Sequence, residues 1–284
     1  MTGVTGQPPE PDQGSSRELP GTVCGRRLTR YVALGDSSTE GLDDPRDDGS
    51  FRGWADRVAE GLAQADPDVL YANLAVRGRL ATQVAAEQLP VALALEPDFA
   101  TVFAGVNDIL RRSYDPDVTE ASLRAMMSGL REAGATVVTI TAADLSAVNP
   151  VARLVRTRLQ ELNDTIRQIA SDTGAFVVDV ARLPEASDRR LWSPDRLHAS
   201  SEGHRRIAEI ILARVVDGHP GLAPYPPSMT GPVSRGLRDD VSWIAGHLGP
   251  WLTRRVRGVS SGTGRVAKRP VLAAVTDASA SVEH

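Results

Sequence analysis

Four short segments of the sequence hold the residue types that acyl transfer demands. Gly35-Asp36-Ser37-Ser38-Thr39-Glu40-Gly41 offers hydroxyls, Ser37 first among them, between two glycines. Asn73-Leu74-Ala75-Val76-Arg77-Gly78 ends on a glycine, where no side chain blocks the backbone from approaching a ligand. Gly105-Val106-Asn107-Asp108 supplies a side-chain amide, and Asp195-Arg196-Leu197-His198 places an acid three residues before an imidazole. Covalent cleavage of an acyl bond needs a nucleophile, a base, a group that orients the base, and donors for the developing oxyanion. The four segments together contain that set.

The elements that must position these residues are legible from periodicity. Short β-rich runs occur at Thr29–Leu34, Val69–Leu74, Phe99–Phe103, Thr136–Ile140 and Ala175–Val180. Helical spacing of apolar residues recurs at 53–65, with Trp54, Val58 and Leu62 on one face, and at Leu80–Leu89, Thr119–Ala133, Pro150–Ser171 and Ser201–Val216. Strands alternating with helices predict a parallel sheet covered on both faces. In such sheets ligands bind beyond the carboxyl ends of the strands, at a topological switch point. Three of the segments come at strand ends, and the fourth follows the fifth strand across a loop.

The same segments resemble the four sequence blocks of the SGNH (GDSL-type) hydrolases. Gly35-Asp36-Ser37 with Gly41 is similar to the first block, Gly78 after Asn73 to the second, Gly105-x-Asn107-Asp108 to the third, and Asp195-x-x-His198 to the last. The resemblance covers about residues 29–217. It implies a three-layer α/β/α fold with a flavodoxin-like, five-stranded parallel sheet. It also implies roles. Ser37 would attack the ester carbonyl, His198 would take and return the proton, and Asp195 would hold the imidazole in the right tautomer. The N–H groups of Ser37 and Gly78 and the Asn107 amide would surround the oxyanion. Gly35-Asp36-Ser37-Ser38-Thr39 lacks the second glycine of the G-x-S-x-G elbow, which points away from the α/β-hydrolase fold.

Each residue also has a plainer reading. Ser37 alone could cap a helix, and Asn107 alone could sit in a turn. His204, at the start of a helix, reads as structural. Asp36 and Asp108 read as hydrogen-bonding partners of loop backbone. Arg77 and Arg79 flank Gly78, where contact with an anionic substrate group and solvation are equally expected. The acidic run Asp43-Asp44-Pro45-Arg46-Asp47-Asp48 lacks the EF-hand spacing and reads as a solvated loop on the rim of the cleft.

Composition bounds the rest. The 284 residues are 41% hydrophobic and carry a net charge of -4, which argues against nucleic acid as the main partner. Cys24 is the sole cysteine, so neither an internal disulfide nor a cysteine zinc site can form; no metal or cofactor is expected. The N-terminal stretch lacks the basic and apolar regions of a signal peptide, and the expected location is cytoplasmic. Residues 1–27 read as a disordered leader, 28–218 as the hydrolase domain, 219–258 as a linker with an amphipathic helical extension, and 259–284 as a disordered tail. In residues 232–258, Trp251 among Leu248, Leu252 and Val256, with Arg254, Arg255 and Arg257, fits either self-association or packing on the core, or contact with an anionic membrane surface. The expected activity is hydrolysis of small or lipid-like acyl esters through an acyl-enzyme. An acyltransferase, a carbohydrate deacetylase or a lysophospholipase would use the same residues, and a non-catalytic binding module on this fold is the distant alternative.

Overall fold

The computed structural model of the protein describes residues 22–23, 26–216 and 262–275. The first long strand, β3 (Arg30–Gly35), runs through the centre of the molecule, with Tyr31 to Leu34 all buried. Strands β4 (Leu70–Asn73), β5 (Phe99–Phe103), β6 (Thr136–Ile140) and β7 (Phe176–Val178) pair parallel around it. The parallel part has the order β4-β3-β5-β6-β7, so the switch point lies between β3 and β5, where the chain leaves in opposite directions across the sheet.

Strand pleating divides the core in two. Tyr31 and Ala33 face one layer, formed by α2 (Gly53–Ala65) and α8 (Ser201–Val215) with Trp54, Val58, Leu62, Ile211 and Leu212. Val32 and Leu34 face the other. There α3 (Ala81–Glu87), α4 (Leu89–Ala94), α6 (Pro116–Glu132) and α7 (Arg156–Thr173) bring Val84, Ala92, Met126, Met127, Leu162 and Ile166. Two short helices, α1 (Ser37–Glu40) and α5 (Val106–Ile109), lie directly after β3 and β5.

Three sequence expectations are corrected. The sheet has six strands, because β8 (Arg269–Ala274) pairs antiparallel with β4 at the edge. The tail expected to be disordered over 259–284 therefore contributes structure at 262–275, and covering the open edge of β4 is the physical gain. Lys268 fastens this strand: its Nζ donates to the carbonyls of Phe51 (3.0 Å) and Arg52 (2.8 Å) and pairs with Asp56 at 2.9 Å. Second, the leader expected over 1–27 ends in a small antiparallel pairing of β1 (Thr22–Val23) with β2 (Arg26–Arg27). Arg27 Nη2 is held by Asp66 at 2.7 Å and Asp68 at 2.6 Å. Third, two expected helices are broken. Leu80–Leu89 becomes α3 followed by α4, with Pro90 in the first turn of α4, and Pro150–Val155 winds as a 3-10 turn before α7. The proposed extension at 219–258 lies outside the described residues. Among the described residues, no helix is long and apolar enough to cross a membrane.

Candidate active site

The site is built at the end of β3. Gln88, buried between α3 and α4, clamps the Gly35 residue from both sides. Its Oε1 accepts from the Gly35 N–H and its Nε2 donates to the Gly35 carbonyl, both at 2.9 Å. A Cβ at position 35 would lie 2.3 Å from Thr39 Oγ1 and 2.6 Å from the Phe103 carbonyl, so this tight passage admits only glycine. The chain then turns into α1. Asp36 caps that helix, its Oδ1 accepting from the Ser38 N–H at 3.2 Å. The capping role considered for Ser37 thus falls to its neighbour, and the Ser37 hydroxyl points elsewhere.

It points to His198. The loop from 192 to 199 folds as a small hairpin, closed by pairing of Trp192 with Ala199 and by the Ser193 N–H donating to the His198 carbonyl at 2.9 Å. Arg196 takes a left-handed conformation at its turn, φ 60°. That bend lets Asp195 Oδ1 accept from the N–H groups of Leu197 (2.8 Å) and His198 (3.0 Å). With the carboxylate so fixed, Oδ2 stands 2.6 Å from His198 Nδ1, and His198 Nε2 stands 2.9 Å from Ser37 Oγ. The three residues arrive from two strand ends and form one continuous hydrogen-bonded line.

Electrostatics follow from this placement. Burial alone would raise the Asp195 carboxyl. The hydrogen bonds and charge of His198, with help from Ser193, overcome it and hold the group well below the usual carboxylate range. For His198 burial pushes downward, but the Asp195 hydrogen bond and charge, joined by Asp43 and Asp36, raise it above its ordinary value. The two directions agree: each partner favours the charged form of the other.

The remaining segments are tied to Asp36 and Glu40, on either side of Ser37 in the chain. Gly78 adopts φ 76° between two arginines. The Arg77 N–H and Nε both donate to Glu40 of α1, at 2.8 and 2.9 Å, and its guanidinium lies over the Phe51 ring. The Arg79 guanidinium pairs with Glu87 at 2.9 Å. Asn107 Nδ2 donates to Asp36 Oδ2 (2.8 Å) and to the Arg79 carbonyl (3.1 Å), which ties α5 to both neighbouring segments. Asp36 is buried and its carboxyl is pushed up to about 6, chiefly by desolvation.

A family model described as GDSL-like lipase/acylhydrolase matches residues 33–206, more than half of the 284-residue chain. The chain belongs to the GDSL-like lipase/acylhydrolase family. Among solved structures, it is similar to an acetylxylan esterase (Axe2) from Geobacillus stearothermophilus, with TM-score 0.54 and 20% identity over 69% of this chain and 97% of that one. It is similar to LAE5, an alpha/beta hydrolase enzyme from the metagenome of Lake Arreo, with TM-score 0.54 and 22% identity over 66% and 94%. It is also similar to a lipase/acylhydrolase from Enterococcus faecalis, with TM-score 0.52 and 23% identity over 66% and 94%. These likenesses establish the shared fold. No curated protein matches the sequence.

Within this GDSL-family site, some expectations change. The acidic run after α1 is not uniformly solvated. Asp44 is buried and pairs with Arg57 at 2.8 Å, while accepting from the Gly53 N–H at 3.1 Å. Asp43 turns back toward His198. Only Asp47 and Asp48 of the run's acids are exposed. Arg77 and Arg79 both pair with glutamates, Glu40 and Glu87. Asp36 and Asp108 do bind backbone: Asp108 accepts from the Ala81 N–H at 3.0 Å, at the start of α3. His204 is wholly buried, accepting from the Trp54 N–H at Nδ1 (3.1 Å) and donating from Nε2 to the Leu42 carbonyl (3.0 Å).

Sequence reasoning missed Gln88, Glu40, Asp43 and Ser193. A glutamine beside Glu87 in the otherwise apolar stretch 84–94 was the one available signal for Gln88. Asp43, Asp195 and His198 place potential ligand atoms within 4.8 Å of one another. Asp195 Oδ2 and His198 Nδ1 themselves face each other at hydrogen-bonding distance.

Proposed function

We propose that Ser37 is the nucleophile, His198 the general base and Asp195 its orienting acid in an ester hydrolase working through an acyl-enzyme. The observation that carries this reading is the line from Ser37 Oγ to His198 Nε2 (2.9 Å) and from His198 Nδ1 to Asp195 Oδ2 (2.6 Å). Ser37 Oγ attacks the ester carbonyl while its proton passes to Nε2. The tetrahedral intermediate collapses as Nε2 returns that proton to the leaving alcohol. Water then repeats the sequence on the acyl-serine. The N–H groups of Ser37 and Gly78 and the amide of Asn107 are the proposed oxyanion donors. For Asn107 that role means turning one hydrogen from Asp36 or the Arg79 carbonyl toward substrate.

The similar acetylxylan esterase supports the assignment in kind. Its catalytic mutants replace a serine, an aspartate and a histidine, the last two three positions apart, as Asp195 and His198 are. Small acyl esters are the proposed substrates. Carbohydrate deacetylation and acyl transfer to an alcohol use the same residues.

The test is Ser37→Ala with a fluorophosphonate probe and p-nitrophenyl acetate or butyrate. Turnover should fall by about 10^4-fold or more, and the adduct should vanish. Wild-type kcat/KM should fall on acidification with a midpoint above about 6.5, because His198 is held protonated beyond its ordinary range. Retained turnover in Ser37→Ala would remove Ser37 from the chemistry.

A further inference from the structure

His198 has a second carboxylate beside it. Asp43, in the loop joining α1 to α2, brings Oδ2 to 3.7 Å from His198 Nδ1. The same Asp43 oxygen lies 2.6 Å from Ser193 Oγ, and Ser193 Oγ lies 2.6 Å from Asp195 Oδ1. Asp43, Ser193, Asp195 and His198 thus form a closed cluster around one imidazole nitrogen. We propose that Asp43 is a positioning residue of the hydrolytic reaction, a second carboxylate that strengthens His198 as a base. The inference deepens the serine-hydrolase reading above and rests on it.

The backbone is shaped for this placement. Asp43 is one of three non-glycine residues with positive φ among the described residues, at 68°. Such a conformation is unfavourable for most side chains, and aspartate is among the few that tolerate it. The loop is pinched where Gly41 meets Gly53: a Cβ on Gly53 would lie 2.2 Å from the Gly41 Cα. His204 holds the Leu42 carbonyl from below. Asp44 is drawn the other way, to Arg57 and the start of α2. Three separate anchors therefore fix a short loop so that one acid of the pair faces the imidazole.

The physical consequence concerns charge. The groups facing His198 are Asp195 in its own hairpin, Asp43 from the α1–α2 loop, Asp36 after β3, and His204 from α8; Arg189 lies near Asp195. Ser193 has one hydroxyl hydrogen, so it can donate to only one of the two carboxylates it touches. The other contact is unfavourable while both are ionised and the imidazole is neutral. When Ser37 delivers its proton to Nε2, the imidazolium carries positive charge next to both acids and the crowding of like charge is relieved. The interaction grows as the proton moves, so it favours the transition state over the resting enzyme.

The decisive variant is Asp43→Asn, which removes the charge, keeps the shape and suits the left-handed backbone. The readout is the acid limb of kcat/KM for p-nitrophenyl acetate. The limb should move to lower pH by about half a pH unit or more, and the plateau rate should fall about threefold to thirtyfold. Asp43→Gly removes the same charge and relaxes φ 68°, so it must move the limb in the same direction if Asp43→Asn folds poorly. A limb that stays at the wild-type pH in both variants overturns the proposal, whatever happens to the rate, since a merely structural role would lower activity without shifting it. Loss of the fluorophosphonate adduct in Ser37→Ala separates this failure from failure of the underlying reading.

Discussion

Replacing Gln88 with Met tests how the strand end is held. Met has nearly the same volume, so the change removes polarity with little change in packing. Gln88 makes two hydrogen bonds to Gly35, each 2.9 Å, and both partners are buried. The Gly35 carbonyl keeps a longer contact from the Val76 N–H at 3.4 Å. The Gly35 N–H is left facing a thioether. A buried donor without a partner costs about 1–3 kcal/mol, and a lost hydrogen bond whose acceptor keeps another partner costs about 1 kcal/mol. Better burial of the apolar Met offsets part of this, leaving a net loss of about 2 kcal/mol. For a domain of this size that lowers Tm by about 4–8 °C. Gly35 lies two residues before Ser37, whose Oγ must hold its 2.9 Å relation to His198 Nε2. Misplacement near 1 Å at such a contact can cost about 10^2-fold in rate, so kcat should fall by about tenfold or more. Urea denaturation followed by circular dichroism gives the stability term, and the rate of fluorophosphonate labelling gives the second. A Gln88→Met protein within about 0.5 kcal/mol of wild type and labelled at the wild-type rate refutes the clamp.

Two further perturbations follow from buried groups away from Ser37. His204 is held at about 4 in the folded protein, chiefly by burial, against about 6.5 when unfolded. A depressed imidazole makes the unfolded chain the better proton acceptor, so stability should drop as pH falls from about 6.5 toward 4, by about 3 kcal/mol at most. His204→Gln should show a shallower acid slope of Tm than wild type, and identical slopes would sink this account. Lys268 fastens β8 through Asp56 and the Phe51 and Arg52 carbonyls. Lys268→Met should cost about 1–3 kcal/mol and speed amide exchange across 269–274; wild-type protection there would show that the strand needs no such fastening.

The parts of the fold legible in the sequence were those with a repeating signal. Strand and helix alternate in hydrophobic period, and the candidate site residues cluster in short runs after the strands, the last across a loop, so the sheet and the four segments could be placed together. β8 gives no such signal. It is six residues long, begins Arg-Pro, and exposes Val271 and Ala273 while only partly covering Leu272, so neither alternation nor a buried run marks it. Its pairing with β4 depends on a partner far away in the chain. Asp43 was equally hidden. Among the acids of the run from 43 to 48 its type is unremarkable, and its direction is set by one backbone angle and a glycine–glycine contact across the loop. Gln88 acts on Gly35 through space, with no spacing rule connecting the two.

Two neighbouring histidines, His198 and His204, show why residue type alone could not complete the site. His198 and His204 are six positions apart, and both are largely withdrawn from water, which by itself lowers both. They diverge because of what each ring nitrogen meets. His198 Nδ1 meets the Asp195 carboxylate with Asp43 behind it, and the charged imidazole is favoured. His204 meets an N–H on one side and a carbonyl on the other, a pairing that only the neutral ring satisfies on both sides. The neutral ring is therefore suited to hold Leu42 and the start of α2 in place, and the loop it steadies is the one that carries Asp43 to His198. A proton added to His204 would turn its Nδ1 into a second donor against the Trp54 N–H and loosen that loop. Under the proposed mechanism, acidification would act on the site twice, by protonating His198 directly and by weakening the support of Asp43.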